Sequence, residues 1–88
     1  MNFKIERTVD GKRVVLRLSG RLRSEHLAEL QSLIAESGPT VVLDLDDIIQ
    51  LDIDTIHFLW KCQAGGIELR NCSPYICEWI DREQDQKG

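Results

Sequence analysis

The sequence lacks any apolar run close to the roughly 18 residues that a membrane-spanning helix needs, so we expect no direct insertion into a membrane. Basic residues are also scarce: 11 Lys and Arg stand against 15 Asp and Glu, for a net charge of −4. Because binding to a phosphate backbone rests on clustered Lys and Arg, this balance argues against a nucleic-acid-binding protein. The beginning of the chain has no apolar core like that of a signal peptide, which favours a cytoplasmic location.

Cysteine occurs at only three positions, Cys62, Cys72 and Cys77. Their spacing matches neither a disulfide framework nor a zinc knuckle, both of which need pairs such as C-x2-C. We therefore expect reduced, mostly buried thiols, as in a cytosolic protein, and no cofactor. A redox or metal-binding role of the thiols is the less favoured alternative.

Four segments have the alternating apolar and polar residues of half-buried strands, and three others have helical periodicity or helix-start signals. The turn signal Asp10-Gly11 joins the first two strands into a predicted β-hairpin. The predicted strands cover residues 3–8, 14–19, 41–45 and 67–71, and the predicted helices begin at Ser24, near Asp52 and at Pro74.

This order, β-β-α-β-α-β-α, predicts an α/β fold with a four-stranded mixed sheet and three helices. Strands two, three and four should run parallel, because right-handed helical crossovers connect them. Val41, Leu43 and Leu45 should face the core, whereas Val42 and Asp44 share the other, partly exposed face. Eighty-eight residues allow one modest core, so we predict one domain over residues 1–82 and a polar C-terminal tail over 83–88. Such a small core leaves little space for a deep substrate pocket.

The start of the second helix concentrates the candidate functional residues. The third strand is predicted to run into a short acidic turn, after which Asp52 caps the helix and Asp54 complements its dipole. The same acidic residues could instead contact a partner, or hold a metal ion or a phosphoryl group. No lysine follows the fourth strand to steady a phosphoryl oxygen. His57 is predicted to pair with Asp54 or to pack at an interface, because no nucleophile is placed beside it.

Three short segments, 18–22 (LSGRL), 42–45 (VLDL) and 51–52 (LD), accompany the predicted order of strands and helices. Together with that order, they resemble the STAS domain, the sulfate transporter and anti-sigma factor antagonist domain, and the resemblance covers nearly the whole chain. Within that family, segments 66–76 (GIELRNCSPYI) and 78–80 (EWI) are most similar to short single-domain bacterial members of unassigned function. The resemblance implies the same α/β fold.

In the anti-sigma factor antagonists, the corresponding helix start usually reads Asp-Ser-Ser-Gly, and a partner kinase phosphorylates one serine. Asp52 matches the leading Asp of that motif, Ile53 and Asp54 occupy the two serine places, and Thr55 occupies the glycine place. The usual phosphorylatable serine is therefore missing, and Thr55 is the nearest hydroxyl. Asp54 imitates a phosphate only poorly, since a phosphate carries close to two charges and three acceptor oxygens.

The resemblance implies a non-catalytic, regulatory protein–protein interaction module and not an enzyme. The predicted partner-binding residues are Asp52, Ile53, Asp54, Thr55 and His57, and the implied partner is an anti-sigma-like kinase. The alternative is a structural subunit of a self-assembled complex, such as a homodimer, or of a transporter-associated complex. A small enzyme or nucleotide-binding protein is the third and least favoured hypothesis.

Overall fold

The computed structural model describes residues 3–38 and 40–87, with side chains up to residue 83. Within these residues, four strands and three α-helices follow in the order β-β-α-β-α-β-α, so the predicted α/β fold is confirmed. A short 3-10 helix, Ser24–His26, precedes the first α-helix at the predicted helix start. The elements are β1 (Lys4–Asp10), β2 (Arg13–Leu22), α1 (Leu27–Ser37), β3 (Val41–Leu51), α2 (Ile53–Ala64), β4 (Glu68–Arg70) and α3 (Pro74–Lys87).

The strands lie side by side in the order β1-β2-β3-β4. The predicted hairpin is present: β1 pairs antiparallel with β2, and Gly11 takes the positive φ of 64° that its tight turn requires. The pairs β2–β3 and β3–β4 are both parallel, as predicted from the helical connections. The carboxyl ends of β2 and β3 therefore lie at one edge of the sheet, which is where α2 begins.

All three α-helices contribute buried residues to one core on one face of the sheet. Val41, Leu43 and Leu45 of β3 belong to this core, as their alternation predicts. The helices add Leu30 from α1, Ile56, Leu59 and Cys62 from α2, and Ile76 and Ile80 from α3.

Charged side chains cover the opposite face of the sheet. Arg13 of β2 lies 3.3 Å from Glu68 of β4, and this pair reaches across the intervening strand β3. Val42 on that strand is consequently buried, although it faces away from the main core. Arg17 lies 2.7 Å from Asp47 on the same sheet. Long charged side chains thus shield apolar atoms here while their charged ends stay hydrated.

The third strand is much longer than predicted. The sequence analysis places an acidic turn after residue 45, but β3 continues to Leu51 and leads directly to α2. Pairing with β2 persists to the register partners Leu22 and Leu51, with irregularities on either side of Gly20, whose φ is 87°. These irregularities absorb the extra residues of β3, so hydrogen bonding continues where the local sequence favours a turn.

The last helix is also longer than the sequence predicts. Where a polar tail is predicted from residue 83, the backbone of α3 remains helical to Lys87. Residues 1 and 2 of the predicted domain, and residue 88 of the predicted tail, lie outside the described residues. Over the described part of the chain, no helix combines the length and apolar character required to cross a bilayer.

Candidate functional site

The start of α2 is held by its predicted cap. Asp52 has an extended backbone, with φ −105° and ψ 176°, and its Oδ1 accepts a hydrogen bond from the backbone N–H of Thr55 at 3.0 Å. This is the N-cap arrangement, in which a short side chain satisfies one of the free N–H groups of the first helical turn. Asp52 is therefore a capping residue, as the sequence predicts.

The same carboxylate also ties α2 to the segment before α1. Its second oxygen, Oδ2, accepts a hydrogen bond from the backbone N–H of Ser24 at 3.0 Å. The Thr55 hydroxyl lies 2.6 Å from Asp52 Oδ1 and 3.2 Å from the carbonyl oxygen of Leu22, the last residue of β2. One carboxylate thus connects two helix starts beside the end of β2, a role that sequence reasoning did not foresee.

These hydrogen bonds set the charge state of Asp52. Partial burial by itself raises the pKa of this carboxyl, but the bonds from the Thr55 hydroxyl and from the N–H groups of Ser24 and Thr55 outweigh it. The net result is a pKa below the ordinary value of 3.8. Since the folded pKa is depressed, the stabilisation by Asp52 is complete above pH 3.8 and is lost as the pH falls through the lower folded value.

We expect Asp52→Ala to lower the free energy of unfolding by about 1–2 kcal/mol at pH 7, because the cap and the bridge to Ser24 are both removed. Asp52→Asn should lower the free energy of unfolding by less than Asp52→Ala does. The amide oxygen of asparagine still accepts the N–H of Thr55, and only the bond from the N–H of Ser24 is lost, because an NH₂ group cannot accept it. Urea unfolding of wild type and both variants, at pH 7 and again well below pH 3.8, measures these differences in the free energy of unfolding. If Asp52→Ala were as much less stable than wild type in acid as at pH 7, the stabilisation would not come from an ionised cap.

Thr55 is the predicted site residue that the structure places in the interior. Its side chain is 0% exposed, and its hydroxyl is already engaged by Asp52 and Leu22. A kinase needs a hydroxyl that can reach the transferred phosphoryl group in line. Thr55 therefore offers neither a contact surface nor an accessible phosphate acceptor in this conformation.

Ile53 and Asp54 lie on the exposed first turn of α2. The Ile53 side chain is 41% exposed, although helix starts usually carry polar residues. Ile49, near the end of β3, is 74% exposed and was not among the predicted site residues. The adjacent pair Ile48-Ile49 could have indicated it, because neighbouring residues of a strand point to opposite faces. Two apolar side chains thus reach solvent at this edge of the sheet.

Pairing with Asp54 was one of the two alternatives predicted for His57 from the sequence. In the structure, His57 has a different partner. Its Nε2 lies 2.9 Å from Oε1 of Glu83 on α3, and the Glu83 side chain is largely covered. Since 26 residues separate the two, only the packing of α3 against α2 brings them together. This contact joins the two helices and leaves the His57 ring half-exposed beside the candidate surface.

The acidic residues of this region do not converge on one point. Asp44 accepts hydrogen bonds from the Asn71 side chain and from the backbone of Asp46, whereas Asp47 pairs with Arg17. Among the described residues, no group of three or more His, Cys, Asp or Glu side chains is arranged to hold a metal ion. Asp52, Asp44 and Asp47 are engaged separately, in a capping, a turn and a cross-strand contact respectively.

Comparison with known proteins gives a structural likeness only. Neither a family model nor a curated protein matches the chain. A solved structure of Mglu, in its L-glutamate binding form in the presence of 4.3 M NaCl, aligns with 73% of this chain and 25% of its own, at 19% identity and a TM-score of 0.43. The structure of Mglu in its native form aligns with 80% of this chain and 22% of its own, at 25% identity and a TM-score of 0.43. The chain thus spans about a quarter of the length of Mglu.

Proposed function

We propose that this protein is a non-catalytic protein–protein interaction module whose partner docks on the exposed start of α2. The observation that carries the proposal is the 41% exposure of Ile53 in the first turn of a helix whose start is fixed by Asp52. A pre-ordered backbone loses little conformational entropy on binding, so an exposed isoleucine there can contribute to affinity. Asp54 supplies an exposed charge beside it.

The contact surface that we propose is narrower than the five residues predicted from sequence. Ile53, Asp54 and the half-exposed His57 can touch a partner, whereas Asp52 acts as the support and Thr55 is buried beneath them. An open groove of about 340 Å³ adjoins this surface and is lined by Arg21, Arg23, Gln50, Leu51 and Asp52. The partner should therefore present an apolar side chain surrounded by polar groups of both signs.

The resemblance to anti-sigma factor antagonists supports a regulatory role and an ATP-binding, anti-sigma-like kinase as the partner. In those proteins a phosphorylated serine at this helix start changes the complex, but this chain has Ile53 and Asp54 in the two serine places. We infer that the module binds in one constant charge state and that regulation comes from the partner's nucleotide. A cytoplasmic location is part of this proposal.

Affinity capture with matched baits tests the surface. Ile53→Asp should abolish retention of the partner, because it places a charge in the apolar centre of the contact, and it should weaken binding at least about tenfold with purified proteins. Val9→Asp is the matched control: Val9 is 65% exposed on β1, beside the hairpin turn and at the other end of the sheet. Both baits should have similar melting temperatures.

The captured protein decides between the hypotheses. We expect the partner to be retained by wild type and by Val9→Asp, but not by Ile53→Asp. We also expect its affinity for wild type to differ between ATP and ADP. Equal retention by all three baits would place the contact elsewhere and overturn the proposed surface. An assembly that is indifferent to nucleotide, or that contains only copies of this chain by size-exclusion chromatography, would favour a structural subunit.

A further inference from the structure

Two of the three thiols lie together where β4 leads into α3. The Cys77 Sγ lies 3.6 Å from the carbonyl oxygen of Cys72, and the two side chains line the same cavity of about 230 Å³. Gln63, Leu69, Ile80 and Asp81 complete the lining. The predicted burial of the thiols holds for Cys62, but Cys72 is only half-buried and Cys77 is exposed.

The connection before α3 creates this proximity. Asn71 has a positive φ of 58°, which turns the chain sharply after β4. Ser73 then begins the helix: its Oγ accepts from the N–H of Ile76 at 3.3 Å, and its carbonyl oxygen accepts from the N–H of Cys77 at 2.9 Å. Cys72 therefore lies just outside the helix, close to Cys77 at the end of its first turn. Inside a regular helix, residues five apart would lie about 140° apart around the axis.

The three thiols differ in access and in ionisation. Burial raises the pKa of Cys62 to about 11. Burial, followed by the neighbouring Cys77 and the charge of Asp81, raises the pKa of Cys72 to about 12. Because the thiolate is the reactive form, both of these residues resist direct oxidation at neutral pH. Cys77 is the thiol that a solvent oxidant reaches first.

We propose that Cys72 and Cys77 form a reversible intramolecular disulfide when the protein meets a peroxide, with Cys77 as the residue attacked first and Cys72 as the resolving residue. In the first step the Cys77 sulfur attacks hydrogen peroxide: an S–O bond forms, the O–O bond breaks and water leaves, so that Cys77 becomes a sulfenic acid. In the second step Cys72 gives up its thiol proton as its sulfur attacks the Cys77 sulfur: the S–S bond forms, the S–O bond breaks, and the proton leaves with the hydroxyl group as a second water. The two thiols lose two electrons and two protons, and one peroxide is reduced to two waters.

The cavity makes the second step feasible. A disulfide bond brings the two sulfur atoms to about 2.05 Å from each other. The cavity that Cys72 and Cys77 share leaves space for their Sγ atoms to rotate into that contact. The bond would fasten the connection after β4 to the end of the first turn of α3. Excess of a small thiol would restore both cysteines by exchange. The disulfide would form near the start of α3, more than about one helical turn from Glu83. The proposal therefore does not depend on whether a partner docks on α2.

Peptide mapping of the full chain after mild peroxide treatment tests the proposal. Trypsin cleavage after Lys61, Arg70 and Arg82 places Cys62 in peptide 62–70 and the pair in peptide 71–82. Peptide 71–82 should lose about 2 Da, the mass of two hydrogens, and regain it with dithiothreitol, whereas peptide 62–70 should not change. Because the wild-type protein is mapped, this readout does not depend on the folding of a variant.

Matched variants assign the roles. Cys62→Ser should still form the disulfide, whereas Cys72→Ser and Cys77→Ser should not. In Cys72→Ser, the exposed Cys77 should instead accumulate as sulfenic acid, which dimedone traps. Three results with peroxide-treated wild type would overturn the proposal. Peptide 71–82 could gain only oxygen, it could be linked to Cys62, or the protein could form covalent dimers on a non-reducing gel.

Discussion

Thr55→Glu is expected to be severely destabilising. This substitution would imitate phosphorylation of Thr55, which carries the only hydroxyl in residues 52–55 at the start of α2. The side chain is 0% exposed, and its hydroxyl lies 2.6 Å from the Asp52 carboxylate. Glutamate would place an uncompensated charge in the interior beside a like charge, at a cost of about 3–5 kcal/mol or more. That is a large part of the roughly 5–15 kcal/mol that stabilises a typical domain. Thermal unfolding followed by circular dichroism should show Tm lowered by roughly 15–30 °C.

Two variants separate the charge from the loss of the hydroxyl. Thr55→Val keeps the shape of the side chain and replaces only the hydroxyl. Its expected cost is about 1–3 kcal/mol of unfolding free energy, because the short hydrogen bond to the Asp52 carboxylate and the contact with the Leu22 carbonyl are lost. Asp54→Glu, one residue earlier on the exposed turn, should leave Tm nearly unchanged. A Thr55→Glu protein that melts like wild type would show that the start of α2 opens, and would restore Thr55 as a phosphate acceptor.

Leu43→Ala should have the other large effect. Leu43 is fully buried in β3, and its register partners are Leu16 on β2 and Leu69 on β4. Removing its side chain leaves a cavity that a strand paired on both sides cannot close, so we expect the free energy of unfolding to fall by about 2–5 kcal/mol. Equilibrium unfolding in urea measures this, with an unchanged slope showing that the same transition is observed.

Val9→Ala is the matched control for that substitution, because Val9 is an aliphatic strand residue that is 65% exposed. Val9→Ala should change the free energy of unfolding by no more than about 0.5 kcal/mol, as is usual for a substitution at an exposed position. A cost for Leu43→Ala below about 1 kcal/mol would mean that the sheet collapses around the missing side chain, and would contradict the close packing of the core.

Much of the fold could be predicted because it depends on local periodicity. The alternation in β3 placed Val41, Leu43 and Leu45 in the core, and helical connections implied parallel strands. The cap at Asp52 was also predictable, since a capping residue acts on the N–H group only three positions later. These interactions lie within a few residues along the chain, which is why the sequence pattern reports them.

The end of β3 could not be predicted from local pattern. Residues 46–50 include two aspartates that favour a turn, yet the strand persists because β2 provides hydrogen-bond partners up to Leu22. That pairing joins segments about 30 residues apart, and tertiary context overrides local preference here. The same packing exposes Ile49, which the sequence analysis did not select.

The candidate site divides in the same way. The sequence by itself determined that an acidic cap, an apolar residue and a second acidic residue stand in succession at a helix start, and that no serine is present in the motif. Only the tertiary structure decided which of these side chains reach solvent: Thr55 is buried against Leu22, and His57 bonds to Glu83 instead of Asp54. The physical reason is that burial and long-range hydrogen bonds depend on which elements pack together, whereas capping and periodicity depend on neighbours along the chain.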